Sequence, residues 1–225
     1  LPEKAFKERL KTSIAIDNKT LLLRNSPTLL NAGFQTKFFY DSRVSILEGQ
    51  LNAVIHSAEE MKGSLTENVT DLKKIQSYVD LFEKAYPNEP EPLTAYTIIN
   101  RLSTYIRSLT SLNSRFDFYM RGDKNKLSKK ERRGFNLFAG KAKCATCHFI
   151  PLFNGLVPPV FNETESDVLG VPATASKKNT TLDADSGRYS FTRSVIHMFA
   201  FKTPTIRNIE FTAPYMHNGV YKTLE

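Results

Sequence analysis

Apolar residues along this chain recur mostly every three or four positions, and no alternating run is long enough for a substantial sheet. That spacing predicts helices in "SILEGQLNAVIHS", "DLKKIQSYVDLFEKAY" and "LTAYTIINRLSTYIRSL". A fourth covers "SKKERRGFNLFAG", where Ser128 and Glu131 stand as the two members of a capping box and Gly140 ends the helix as its C′ residue. "PNEPEP" is a proline-broken loop. "TSLNSRFDFYMRGDKNK" is polar and predicted to be poor in helix, so a boundary is placed there, dividing residues 1–109 from residues 110–225. After His148 the pattern changes. From Pro151 to about Ser194 the chain is rich in Pro, Gly, Thr, Asn and Asp. So long an irregular stretch in a compact domain usually covers a ligand.

Composition alters this picture little. The 225 residues are 40% apolar and 24% charged, an ordinary globular balance. No apolar run approaches the roughly 20 residues of a membrane-spanning helix. The net charge is +8, yet the basic residues are scattered rather than gathered into the stripe a nucleic-acid partner requires. The dense run "KNKLSKKERR" is a solvated helix start, and a basic surface can steer an acidic redox partner.

Both cysteines fall in one pentapeptide, Cys144-Ala-Thr-Cys147-His148. A redox dithiol normally follows a strand in a βαβ unit, and that context is missing. A structural zinc site needs four ligands, and the sequence offers neither a third cysteine nor a pair of suitably spaced histidines. Covalent haem accounts for all three residues: each thiol adds to a vinyl group, and the adjoining imidazole becomes the proximal iron ligand. Haem of this kind is attached outside the bacterial cytoplasmic membrane, so a periplasmic address is expected.

Several stretches together resemble the bacterial dihaem cytochrome c peroxidase family, which includes the MauG-like enzymes. They are "LLLRNSPTLLNAGFQTKFFYDSRVSILEGQ", "NSRFDFYMRGDKNKLSKKERRGFNLFAGKAKCATCHFIPLF", "DSGRYSFT" and "FKTPTIRNIEFTAPYMHNGVYKTLE". The resemblance implies a mainly α protein of two class I cytochrome c-like domains with long haem-wrapping loops. Residues 1–109 then form part of the N-terminal, peroxidatic domain, and residues 110–225 the C-terminal, electron-transfer domain. The chain holds one haem motif, so a second haem c is expected on a motif upstream of Leu1, and the sixth ligand of the second haem is expected beyond Glu225.

Carried over by resemblance, Gln50 and Glu60 are the distal glutamine and acid of the peroxidatic haem. A carboxylate there can take a proton from one peroxide oxygen and return it to the other. From the residues alone, Ser57-Ala-Glu-Glu60 also reads as a capping box, with Glu60 merely starting a helix. Tyr40 stands where the family usually has an electron-relaying tryptophan. Asn25, Thr212 and Pro214 match the positions that bind calcium between the domains. His217 matches a residue near the haem interface, and Arg207 is expected to pair with a haem propionate. Many relatives close the resting peroxidatic haem with a distal histidine, but "KTSIAIDNKT" holds neither His nor Met. A five-coordinate, peroxide-accessible first haem is therefore expected.

The resemblance implies reduction of hydrogen peroxide to water with electrons from a small cytochrome c or cupredoxin, in a protein that can form a homodimer. Two rivals stand beside it: a MauG-like oxidase of a protein or organic substrate, and a c-type electron carrier without catalytic chemistry.

Overall fold

The computed structural model of the protein describes residues 5–176, 178 and 180–225. Its regular structure is mainly helical: seven α-helices and one two-stranded sheet among the described residues. The first four helices are α1 (Leu47–His56), α2 (Leu65–Leu72), α3 (Gln76–Ala85) and α4 (Ala95–Ser108). Their apolar stripes meet in a core of Ile55, Leu65, Leu93, Ile98 and Ile99, beside a second cluster of Ala32, Phe38, Leu47 and Ile106. Leu51 packs against both clusters and joins them. α4 is the axis of this half. It begins at a reciprocal Thr94–Thr97 cap and buries Ser103 completely.

The segment expected as one helix from Asp71 to Tyr86 is two. The Lys74 and Ile75 amides bond back three residues, to Asp71 and Leu72, closing α2 in a tight turn before α3 begins. The break lets Val69 and Leu72 of α2 and Val79 and Phe82 of α3 reach one core.

α5 (Arg115–Met120) forms inside the stretch expected to lack helix. A Ser114–Asp117 capping box starts it, and Phe116 packs against Phe135 and Phe153 with ring centroids 5.0 and 5.1 Å apart. Tertiary packing overrides the weak local preference here. α6 (Lys129–Ala139) carries the expected Ser128–Glu131 box. Gly140 ends it but is not left-handed (φ −107°), and the left-handed residue is Lys143 (φ 55°).

Beyond His148 most of the chain is irregular, apart from α7 (Tyr189–Thr192) and the antiparallel pair β1 (Ser166–Val168) and β2 (Ala200–Lys202). Asp167 stands opposite Phe201 in that pair. The Lys202 amide donates to the Tyr40 carbonyl at 2.6 Å, so β2 also bonds the first half of the chain. The Asn25 amide likewise donates to the His217 carbonyl at 2.6 Å. Nearby, Gly219 is left-handed (φ 61°), and a Cβ on it would collide with the Lys11 backbone carbonyl.

Gly219→Ala is therefore expected to destabilise the protein by more than the roughly 1–2 kcal/mol of left-handed strain alone. A thermal melt checks this; a midpoint within a degree of the parent would contradict the close approach.

Candidate functional site

A cavity of about 800 Å³ lies against the chain from Ser13 to Leu29, the Phe39–Arg43 turn, and α1 with the turn that follows it. It is large enough for a sizeable cofactor. Ile14, Ile16, Leu22, Leu23 and Val54 supply apolar wall, while Arg24, Arg43, Gln50 and Glu60 supply polar groups. Tyr40, Gln50 and Glu60 thus line one space, although 20 residues of sequence separate the first from the last.

Glu60 does not start a helix. Ser57 is the C-cap of α1, the Glu60 amide donates to the Ser57 carbonyl in a turn, and α2 begins later, capped by Ser64. The turn is held by the Ile16 amide donating to the Glu60 carbonyl at 3.0 Å. The half-buried carboxyl is pushed up by desolvation, opposed by Arg43 and reinforced by Glu59 and Glu8. A carboxyl so placed keeps its proton to higher pH than a solvated one. Gln50 projects from α1 on the same wall. Tyr40 has its phenol pushed up to about 12 by burial, against the opposing charge of Arg24. Losing an electron from such a phenol requires losing its proton as well.

The Cys-x-x-Cys-His stretch is assembled differently. Left-handed Lys143 leads into a 3₁₀ turn over Cys144–Thr146, and the His148 amide closes it on the Cys144 carbonyl at 3.0 Å. His148 Nδ1 lies 3.2 Å from the Phe153 carbonyl. A carbonyl only accepts, so Nδ1 carries the hydrogen and Nε2 is left as the metal-binding lone pair. Phe153 is wedged between Phe116 of α5 and Phe138 of α6, centroids 5.1 and 5.6 Å away. Both thiols are free and half-buried. Burial raises the Cys147 thiol, Thr146 opposes, and Asp167 adds to the rise. A redox dithiol depends on the opposite shift. Among the described residues no three His, Cys, Asp or Glu side chains gather to hold a metal. Two unpaired thiols beside a pre-set imidazole fit covalent haem.

Arg207 is held by groups of the protein itself. Its guanidinium grips Asp117 at 2.6 and 3.0 Å and also donates to the Pro151 carbonyl, with both charged side chains over 90% buried. His217 is buried at the junction of the halves, its Nε2 3.1 Å from Asp183 and its ring stacked on Phe201 at 3.8 Å.

Asn25, Thr212 and Pro214 do converge, but calcium does not fit among them. Lys7 Nζ donates to the Thr212 carbonyl at 2.5 Å and to the Pro214 carbonyl at 2.9 Å. Asn25 donates its amide nitrogen to the Pro214 carbonyl at 2.7 Å, and its Oδ1 is buried without a partner among the described residues. A divalent ion on those carbonyls would lie against the ammonium, with no carboxylate among the three expected ligands to offset the repulsion. Lys7, Arg24 and Asp185 were not among the residues expected from the sequence. Arg24 and Asp185 stand in the quoted motifs, but nothing in the sequence pairs positions 161 apart.

The model of the family "Di-haem cytochrome c peroxidase" matches residues 1–125 of the chain. The cytochrome-c peroxidase IdrP1 of Pseudomonas sp. (strain SCT) is 32% identical over 219 residues, covering 90% of this chain and 57% of that protein. The methylamine utilization protein MauG of Methylorubrum extorquens is 32% identical over 204 residues, covering 91% and 53% respectively. The chain thus spans little more than half the length of these curated relatives. The crystal structure of a MauG-like protein associated with microbial copper homeostasis superposes with a TM-score of 0.78 at 28% identity, covering all of this chain and 66% of that one.

The Asp117–Arg207 pair yields a pH prediction. Burial alone would raise the Asp117 carboxyl, but bonds from Arg207 and Ser114 hold it down at about 2. The folded state therefore binds this proton less tightly than the unfolded chain does. The pair's stabilisation is full above about pH 4 and is lost as pH falls toward 2. Asp117→Asn should cost roughly 3–5 kcal/mol at neutral pH. Denaturant titrations of the two proteins should show that gap narrowing only below about pH 4; a constant gap down to pH 2 would remove the ion pair as its cause.

Proposed function

The chain belongs to the di-haem cytochrome c peroxidase family, and on that premise we propose that it is a periplasmic c-type peroxidase. It reduces hydrogen peroxide to water, H2O2 + 2e− + 2H+ → 2H2O, with electrons from a small cytochrome c or cupredoxin. The observation that carries this proposal is the single cavity lined together by Tyr40, Gln50 and Glu60.

A haem bound in that cavity would supply the redox-active iron at which peroxide is reduced. Glu60, whose carboxyl holds its proton more tightly than a solvated acid, takes the proton from the near peroxide oxygen and returns it to the departing one. Gln50 orients the peroxide by hydrogen bonding. Tyr40 lines both this cavity and a smaller one shared with Lys202 of β2, so it bridges the wall between the two halves and can pass an electron with proton loss. Ile14, Ala15, Ile16 and Asn18 line the cavity where many relatives carry a closing histidine, which supports a site open to peroxide at rest. Cys144 and Cys147 would hold the other haem by thioethers, and His148 would present Nε2 to its iron. No helix among the described residues is long and apolar enough to cross a membrane. Covalent haem attachment supports the periplasmic address.

A MauG-like oxidase is the second proposal, because MauG and the cytochrome-c peroxidase match this chain at the same 32% identity. Turnover of peroxide with reduced cytochrome c separates the two: a peroxidase sustains it, and an oxidase of another substrate does not.

Glu60→Gln in the full haem-loaded protein should lower peroxide turnover roughly 100-fold or more with the haem spectrum unchanged. The parent rate should follow an ionisation above the ordinary carboxylate range, absent from the variant; equal turnover would remove Glu60 from the chemistry. Cys147→Ser should leave the His148 haem attached through one thioether only, read as a shifted pyridine haemochrome band. An unshifted band would exclude attachment at Cys147.

A further inference from the structure

Lys7 is a buried cation whose side chain serves none of the chemistry above. Its ammonium faces the carbonyls of Thr212 and Pro214, more than 200 residues along the chain. The contact is part of a wider seam. Arg9 Nε donates to the Phe211 carbonyl at 2.9 Å, the Thr28 hydroxyl donates to the Ala5 carbonyl, and the Asn25 amide meets the His217 carbonyl. The start of the described chain is thus laced to the 211–217 loop through backbone carbonyls, and carbonyls that converge demand a cation or a donor.

We propose that the Lys7 ammonium is the structural cation of this junction, supplied by the chain itself, so that the two halves close without a divalent metal. The geometry favours this over a shared site. The two carbonyls aimed at Lys7 are two of the three expected calcium ligands, and the third, Asn25, spends its amide hydrogen on one of them. The junction also lies beside the cavity, because Asn25 and Ser26 line its wall. The tether therefore fixes the approach of the 211–217 loop to the peroxide-binding half.

The test uses the full haem-loaded protein, with metal content measured by mass spectrometry and melting followed at the Soret band. Purified protein should contain no stoichiometric calcium, and its midpoint should be unchanged by a calcium chelator or by millimolar calcium. Lys7→Met keeps the aliphatic stem and removes the charge, and it should melt roughly 4–8 °C lower. Lys7→Thr, which opens the space, should melt lower too and regain part of the loss when calcium is added. Stoichiometric calcium or chelator-sensitive melting in the parent would overturn the proposal. So would a Lys7→Met midpoint equal to the parent's, or a Lys7→Thr protein indifferent to calcium. Should neither variant fold, the calcium content and chelator response of the parent still decide. Failure of the peroxidase proposal would appear as unchanged turnover in Glu60→Gln, or as no peroxide turnover by the parent with reduced cytochrome c, which none of these readouts touches.

Discussion

One guanidinium holds the architecture together. Arg24 donates to Asp41 through Nη1 at 2.7 Å and to Asp185 through Nε and Nη2 at 2.6 and 2.9 Å. Asp41 belongs to the turn that carries Tyr40, and Asp185 belongs to the irregular C-terminal half. The carboxylates are almost wholly buried. Burial alone would raise Asp185, but the bonds from Arg24 and the Gly187 amide hold it down. Such a cluster stabilises a protein little relative to apolar packing, yet removing one partner strands the others and costs roughly 3–5 kcal/mol. Its consequence is positional. The cavity wall and the C-terminal loops cannot separate without exposing an unpaired charge.

The same constraint explains how so irregular a chain keeps a fixed form. The packed helical core lies in the first half, around α1 and α4. Hydrogen bonds also tie the irregular second half to the first at several points. Lys202, buried and with its ammonium lowered to about 8 by desolvation, donates to Gln35 at 2.9 Å, while its backbone amide meets Tyr40. Lys7, Arg24 and Lys202 all reach across the junction, to Thr212 and Pro214, to Asp185, and to Gln35. Exposed pairs such as Lys74–Asp71 contribute far less, because solvent screens them.

Burial also gives the site its chemistry. Desolvation raises both the Tyr40 phenol and the Glu60 carboxyl, so both hold their protons more tightly than solvated groups do. At the other motif the backbone does the corresponding work, since the Phe153 carbonyl fixes the His148 tautomer and the Phe116–Phe138 packing fixes Phe153.

The sequence by itself determined what depends on neighbours along the chain: the helices with clear apolar stripes, the Ser128–Glu131 cap, and the Cys144–Cys147–His148 spacing. It also brought Tyr40, Gln50 and Glu60 together through resemblance, whereas the alternative of Glu60 as a helix cap is excluded only by the turn after α1. Only the tertiary structure decided the partners of charged groups. Arg207 bonds Asp117, Lys7 bonds the Thr212 and Pro214 carbonyls, and α5 folds because Phe116 finds Phe135 and Phe153. The reason is physical. Local pattern encodes which face of an element is apolar, whereas a buried charge takes whichever opposite charge or carbonyl the fold brings within 3 Å of it, and here several of those partners lie from about 90 to more than 200 residues away.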